Sequence, residues 1–217
     1  MGLKLVIANK AYSSWSLRPW MLLKAFGIPF AETVIAMGQD DTRANMLKHA
    51  PTGKCPSLHD GDVSVWDSLA IFEYVAERFP EKAIWPKDVA ARAYARSICA
   101  EMHSGFQGMR QHLPTQFRRP VRLRELTEDA QADVVRMEAL FAETRKRFGA
   151  GGPFLFGDFC AADAFFAPVV NRLHVYDVAV TAATRAYMDA VLAHPAYVEW
   201  CEGAAKEEWA LEKYEAI

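Results

Sequence analysis

The first 80 residues alternate short runs of strand type with helical patterns. Leu3 to Ala8 reads as a buried strand. Leu17, Trp20, Met21, Leu23 and Lys24 then recur at helical spacing and predict a helix from about Ser16 to Phe26, stopped by Gly27. Pro19 is expected in its first turn, where a missing N–H costs little. Phe30 to Ala36 predicts a second strand, residues 41 to 49 a weaker helix, and Pro51 with Gly53 a turn. Strands around Ser57 to His59 and Val63 to Trp66 are joined by Asp60-Gly61-Asp62, a hairpin signal, and Asp67 caps a third helix with Phe72, Val75, Ala76 and Phe79 on one stripe. After Pro80-Glu81-Lys82-Ala83-Ile84-Trp85-Pro86-Lys87-Asp88 no convincing strand remains, and helices are predicted over roughly 89 to 113, 127 to 148, 161 to 175, 182 to 193 and 195 to 208. The pattern gives an α/β domain over residues 1–80, a linker at 81–88 and an all-α domain over 89–217.

Composition narrows the partners. A chain of 217 residues with 52% hydrophobic and 12% aromatic residues has ample material for a core, which excludes disorder. Its net charge of -2 provides no broad positive field, so neither nucleic acid nor an acidic membrane is expected as a partner. No run approaches the roughly 20 apolar residues of a membrane span, and the apolar run at the start is too short for a signal peptide. Cys55, Cys99, Cys160 and Cys201 form no close pair, which points to a reducing compartment, and a cytoplasmic protein is expected. The six histidines make no HxxxH or HxH pair, so no metal is assigned.

Two segments carry candidate chemistry. Tyr12-Ser13-Ser14-Trp15-Ser16-Leu17-Arg18 stands between the first strand and the first helix, with three serine hydroxyls at a helix N-terminus. The helix end contributes about 0.3 to 1 kcal/mol toward a nearby anion, and a hydrogen bond to a charged acceptor roughly 1.5 to 3 kcal/mol. Together these lower a thiol pKa of about 8.5 by one to two units, so a ligand thiol beside Ser13 or Ser14 would be largely ionised near neutral pH. The same serines also serve as plain helix caps. The second segment is Gly53-Lys54-Cys55-Pro56, followed after the hairpin by Trp66-Asp67-Ser68. A strand-opening proline is compatible with a cis bond that turns the Cys55 backbone toward a peptide-like ligand, and Asp67-Ser68 at a helix start suits a carboxylate with a neighbouring ammonium. An ordinary turn and simple capping are the bland readings.

In this order these motifs resemble the glutathione transferase superfamily, over essentially the whole chain. The resemblance implies a thioredoxin-like N-terminal domain, a C-terminal helical bundle, glutathione as co-substrate without a metal, and a homodimer pairing the N-terminal domain of one subunit with the helical domain of the other. It implies glutathione contacts from Trp15, Lys54, Cys55, Pro56, Asp67 and Ser68. Phe154-Leu155-Phe156-Gly157-Asp158-Phe159-Cys160-Ala161-Ala162-Asp163 is similar to the family's folding motif, with Cys160 in place of the usual Ser or Thr cap, so a weaker capping box is expected. Ser13-Ser14-Trp15-Ser16-Leu17-Arg18 is similar to the zeta-type signature, with Trp15 where that motif has cysteine; this implies Ser13 or Ser14 as thiolate stabiliser.

Tyr12 remains an alternative stabiliser, and Cys55 a weaker one as nucleophile. For the second substrate, Met102 and Phe106 are candidates for an apolar wall and Arg172 for a cleft cation, with ion pairing to Asp163 or Glu138 as the plainer role for Arg172. The basic run from Arg118 to Arg124 would attract an anionic co-substrate or sit solvated. The expected activity is conjugation of glutathione to an electrophilic small molecule. Maleylacetoacetate-type isomerisation or peroxide reduction on the same fold, and a non-catalytic interaction or stress protein, are the alternatives.

Overall fold

A computed structural model describes residues 2–216. Its sheet has the order β2-β1-β3-β4. β1 (Leu3–Ala8) is parallel to β2 (Phe30–Ile35) and antiparallel to β3 (Ser57–Asp60), which forms a hairpin with β4 (Val63–Trp66). The parallel pair needs a crossover, and α1 (Ser14–Ala25) supplies it. Alternate residues of β1 serve opposite faces: Leu3, Leu5 and Ile7 enter the main core, whereas Val6 and Ala8 pack with Ile35 and with Met46 of α2 (Thr42–Leu47). Burial on both faces explains why β1 reads as an apolar run interrupted only at Lys4. α3 (Ser68–Arg78) starts where the Asp67 carboxylate accepts the Leu69 N–H at 2.8 Å.

After a short 3-10 turn at Pro80–Lys82 come α4 (Val89–Ser104), α5 (Gln107–His112), α6 (Glu128–Phe148), α7 (Ala161–Val175), α8 (Ala182–Leu192), α9 (Pro195–Ala205) and the single turn α10 (Glu212–Glu215). This is a thioredoxin-like α/β unit followed by a helical region, as expected. Several details differ. The helix expected over 89–113 is broken because Gly105 is extended and Phe106 takes a left-handed conformation at φ 61°. The helix expected to reach 208 stops at Ala205, and α10 was not expected. Pro19 lies beyond the first turn, because α1 begins at Ser14, and it removes the N–H that would bond the Trp15 carbonyl.

α7 runs through the middle of the helical region, with every residue except His174 buried, and packs against α1. Its start is fixed by Asp163, whose carboxylate accepts the N–H of Cys160 at 2.9 Å and of Leu155 at 3.1 Å. Both halves of this capping box are present, with the Cys160 thiol in place of the usual hydroxyl. Burial pushes the Asp163 acid up to about 6. A folded pKa above the unfolded one favours the folded state while the group stays protonated, and that contribution fades as pH rises through the folded pKa. We therefore expect wild type to lose stability relative to Asp163→Asn between about pH 4 and pH 7, in urea denaturation across that range. Asp163→Ala, which strands two buried amides, should cost about 2 to 4 kcal/mol.

Candidate functional site

The loop from β1 into α1 is tied down by hydroxyls. Ser13 is the N-cap of α1; its Oγ accepts the Ser16 N–H at 3.3 Å and bonds Ser16 Oγ at 2.8 Å. Ser16 Oγ in turn accepts the Ala8 N–H at 3.0 Å, which fixes the start of α1 to the end of β1. Ser14, equally buried, has a hydroxyl bonded to no described residue. Tyr12 is engaged differently: its hydroxyl donates to Glu215 and accepts from Arg118 and from the Leu211 N–H. Burial, then the bond to Glu215, holds the Tyr12 phenol above its ordinary pKa. That hydroxyl therefore serves the C-terminal segment, which weakens the alternative of Tyr12 as thiolate stabiliser.

Two cavities meet at this loop. The first, of about 340 Å³, is lined by Trp15, Thr52, Lys54, Cys55, Pro56, Trp66, Asp67, Ser68 and His103, so it gathers every residue expected on one side of the cleft. The Cys55–Pro56 bond is cis. No described residue pairs with the Cys55 amide or carbonyl. Its thiol is pushed up to about 12 by burial, which weighs against Cys55 as the nucleophile. Asp67 is held at φ 75°, a left-handed value that costs a non-glycine residue about 1 to 3 kcal/mol. This strain turns its carboxylate both to the Leu69 N–H and to His103 Nε2 at 3.2 Å.

The second cavity, of about 580 Å³, is lined by Tyr12, Ser13, Ser14, Trp15, Met37, His103, Gln107, Arg110, Gln111, Pro114, Thr115, Arg172, Lys213 and Tyr214. Trp15 and His103 border both cavities, in edge-on contact with ring centroids 5.1 Å apart. Three cations and no carboxylate line the second cavity. Arg172, only 4% exposed, donates from Nε to the Leu113 carbonyl at 2.8 Å and from Nη1 to the Pro168 carbonyl at 3.2 Å. Arg110 donates to the carbonyls of Gly105 and Met102 and lies over the Trp15 ring, 5.0 Å from its centre. Behind them Arg18 is fully buried, 4.3 Å from the Trp15 ring centre and 3.9 Å from that of Phe165. It donates to the Phe165 carbonyl and, at 3.5 Å, to Ser68 Oγ. Burial lowers the pKa of all three guanidinium groups, Arg172 to about 9, and repulsion from Arg110 lowers Arg18 and Arg172 further.

Several sequence expectations change here. Met102 and Phe106 are buried in the core and are absent from the lining of both cavities, because the break at Gly105 turns α5 so that Gln107, Arg110 and Gln111 face the space instead. The wall that α5 gives to the second cavity is polar. Arg172 does line the cleft; Asp163 is occupied by backbone amides, and Glu138 accepts from Thr181. The basic run does not reach the cavity: Arg118 grips the C-terminal segment, and Arg119 and Arg124 lie over the Tyr176 ring. His103, Arg110, Thr115, Lys213 and Tyr214 were not foreseen. A histidine one turn before a helix break is the sole sequence signal among them. No described helix is long and apolar enough to cross a membrane, and no described cluster of His, Cys, Asp and Glu is arranged to hold a metal ion.

Residues 12–78 match the model for the family described as glutathione S-transferase, N-terminal domain. Across 181 residues, the chain is 25% identical to glutathione S-transferase Z2 of Arabidopsis thaliana, covering 76% of this chain and 78% of the relative. The N-terminal region of the chain is thus similar to glutathione S-transferases. It is also 32% identical over 95 residues to the probable maleylacetoacetate isomerase of Caenorhabditis elegans, covering 43% of each chain. A crystal structure of a glutathione transferase homolog from Burkholderia with bound glutathione has the same fold, with a TM-score of 0.72 at 20% identity over 96% of this chain and all of the other.

Arg18 gives a test of the site's electrostatics. A buried cation without a carboxylate partner stabilises a fold weakly, and an apolar side chain of similar length replaces it at small cost. Arg18→Met is expected to hold or raise the midpoint of guanidinium denaturation at pH 7. A loss above about 2 kcal/mol would show that the charge itself supports the fold.

Proposed function

We propose that this chain is a glutathione-dependent enzyme that ionises the thiol of glutathione beside Ser14 and delivers the sulfur to a carboxylate-bearing electrophile. One observation carries the reading: two cavities meet at Trp15 and His103, one rich in peptide-recognising groups, the other lined by serine hydroxyls and arginines with no carboxylate. In the first, the unpaired Cys55 backbone can pair with a peptide as a strand would. Ser68 and the N-terminus of α3, with Arg18 behind Ser68, suit a carboxylate, while Asp67 suits an ammonium. A γ-glutamyl end carries both groups.

Ser14 has an unengaged hydroxyl and so donates to a sulfur anion without rearrangement. Ser13 offers its proton only if its bond with Ser16 reverses, a change that rotating hydroxyls permit. The serine is a hydrogen-bond donor to sulfur and takes no proton from it. Rate comes from ionisation and proximity, with no covalent intermediate on the protein. In conjugation the new C–S bond forms as the electrophile's leaving group departs with its electron pair, and the thiol proton passes to solvent. Arg110 and Arg172 would orient the electrophile by its carboxylate.

The same cationic cavity supports a second reading, cis–trans isomerisation of a dienoic acid, in which sulfur adds and then leaves. The likeness to the probable maleylacetoacetate isomerase of Caenorhabditis elegans favours it, and Trp15 in place of the zeta-type cysteine counts against it. A homodimer belongs to the proposal as well: exposed Leu47, Val63 and Trp66 on the sheet side and Val89 and Val135 on the helical side provide apolar surface for it.

Calorimetry and ultraviolet titration of the bound thiolate test the reading. Glutathione affinity should fall at least about tenfold in Ser68→Ala combined with Asp67→Ala. The thiolate pKa should rise by about one to two units in Ser14→Ala and by less in Ser13→Ala. An unmoved pKa in both serine variants removes the mechanism. Turnover of a cis-dienoic acid with negligible conjugation of aryl halides decides for isomerisation.

A further inference from the structure

We infer that the C-terminal segment from Lys206 to Ala216 is a working wall of the second cavity, with Arg118 as its positioning residue and Lys213 and Tyr214 as its specificity-determining side chains. This deepens the proposed function and rests on the second cavity receiving the electrophile. Apart from the single turn α10, the segment has no regular structure, yet it is held at many points. Arg118 donates to the Glu207 carbonyl at 2.8 Å, to the Trp209 carbonyl at 3.1 Å and to the Glu215 carboxylate at 2.9 Å. The Glu207 carboxylate accepts the N–H groups of Lys10 and Ala11 at 2.7 and 3.0 Å. Leu211 seats on Gly38, where an added Cβ would come within 2.6 Å of its side chain.

These attachments converge on Tyr12. Its hydroxyl joins Glu215, Arg118 and the Leu211 amide, and its ring stacks on Tyr214 with centroids 5.4 Å apart. Tyr214 and Lys213 thereby line the cavity beside the serines. Among the described residues neither serine bonds the segment directly. Ser13 is fixed by the Asn9 carbonyl and by Ser16, both within the loop and α1. Loosening the segment should therefore disturb the electrophile and spare the thiolate.

The experiment compares two aryl halides that undergo the same displacement, neutral 1-chloro-2,4-dinitrobenzene and anionic 4-chloro-3,5-dinitrobenzoate. Lys213→Gln, an exposed and fold-neutral change, should raise KM for the benzoate about threefold to fivefold, the size expected of one exposed charge, and leave the neutral halide unchanged. Arg118→Gln should raise KM for both halides about tenfold by removing the whole wall, with glutathione KM and thiolate pKa held and partial recovery in Arg118→Lys. Calorimetry with 3,5-dinitrobenzoate, which has no leaving group, separates this inference from the reading beneath it. Benzoate binding that weakens in Lys213→Gln supports the wall even if glutathione fails to bind. Equal effects of Lys213→Gln on both halides or on neither, or glutathione KM moving with halide KM in Arg118→Gln, would overturn it.

Discussion

The placement of a single buried carboxylate governs the geometry of the cleft. Asp163 holds the amides of Cys160 and Leu155 and so fixes where α7 begins and how it is rotated. On that helix Phe165 presents its ring and carbonyl to Arg18, and Arg172 reaches into the second cavity. A change in the start of α7 would move the Phe165 platform and the Arg172 cation together. The helix is buried almost throughout, so it has little freedom to compensate by sliding.

Around this helix, three guanidinium groups are buried with no ion-pair partner among the described residues. Arg18, Arg110 and Arg172 satisfy much of their hydrogen bonding with carbonyls, several at helix ends where the dipole favours a cation. Carbonyls satisfy N–H groups but leave the net charge uncancelled. The potential that remains extends into the space lined by Ser13 and Ser14, where it would favour both a thiolate and an anionic acceptor. A peptide-like cavity beside a positively charged one fits a reaction between a peptide thiol and an acid better than binding of a neutral ligand.

The fold was largely legible because its signals are local. Runs such as Leu3 to Ala8, the Asp60-Gly61-Asp62 hairpin and the Asp67 cap each identify an element from a few residues. Most of the first cavity was legible for the same reason, since all its lining residues but Trp15 and His103 lie in two short segments, 52–56 and 66–68. The second was not. Its wall depends on the break at Gly105 and Phe106, and a left-handed phenylalanine leaves no mark in hydrophobic periodicity. Met102 and Phe106 therefore read as apolar wall candidates in the sequence while lying on the inward side of that break. The segment beyond Ala205 was equally silent, because charged contacts across 89 to 203 residues of sequence hold it rather than any periodic pattern.

Trp15 links these departures. Where the zeta-type signature has a small cysteine, this chain has a broad ring, and a ring at the junction of two cavities needs neighbours that tolerate its face. Arg18 and Arg110 fill that role, at 4.3 and 5.0 Å, with His103 edge-on. Cation–π contact offsets part of the cost of burying guanidinium groups, and the groups hold the indole in return. The indole and the arginine pair thus hold one another, and Arg110 contributes to the positive charge of the second cavity. Because Trp15 borders both cavities, a change at position 15 under the proposed function reaches the glutathione side and the acceptor side together.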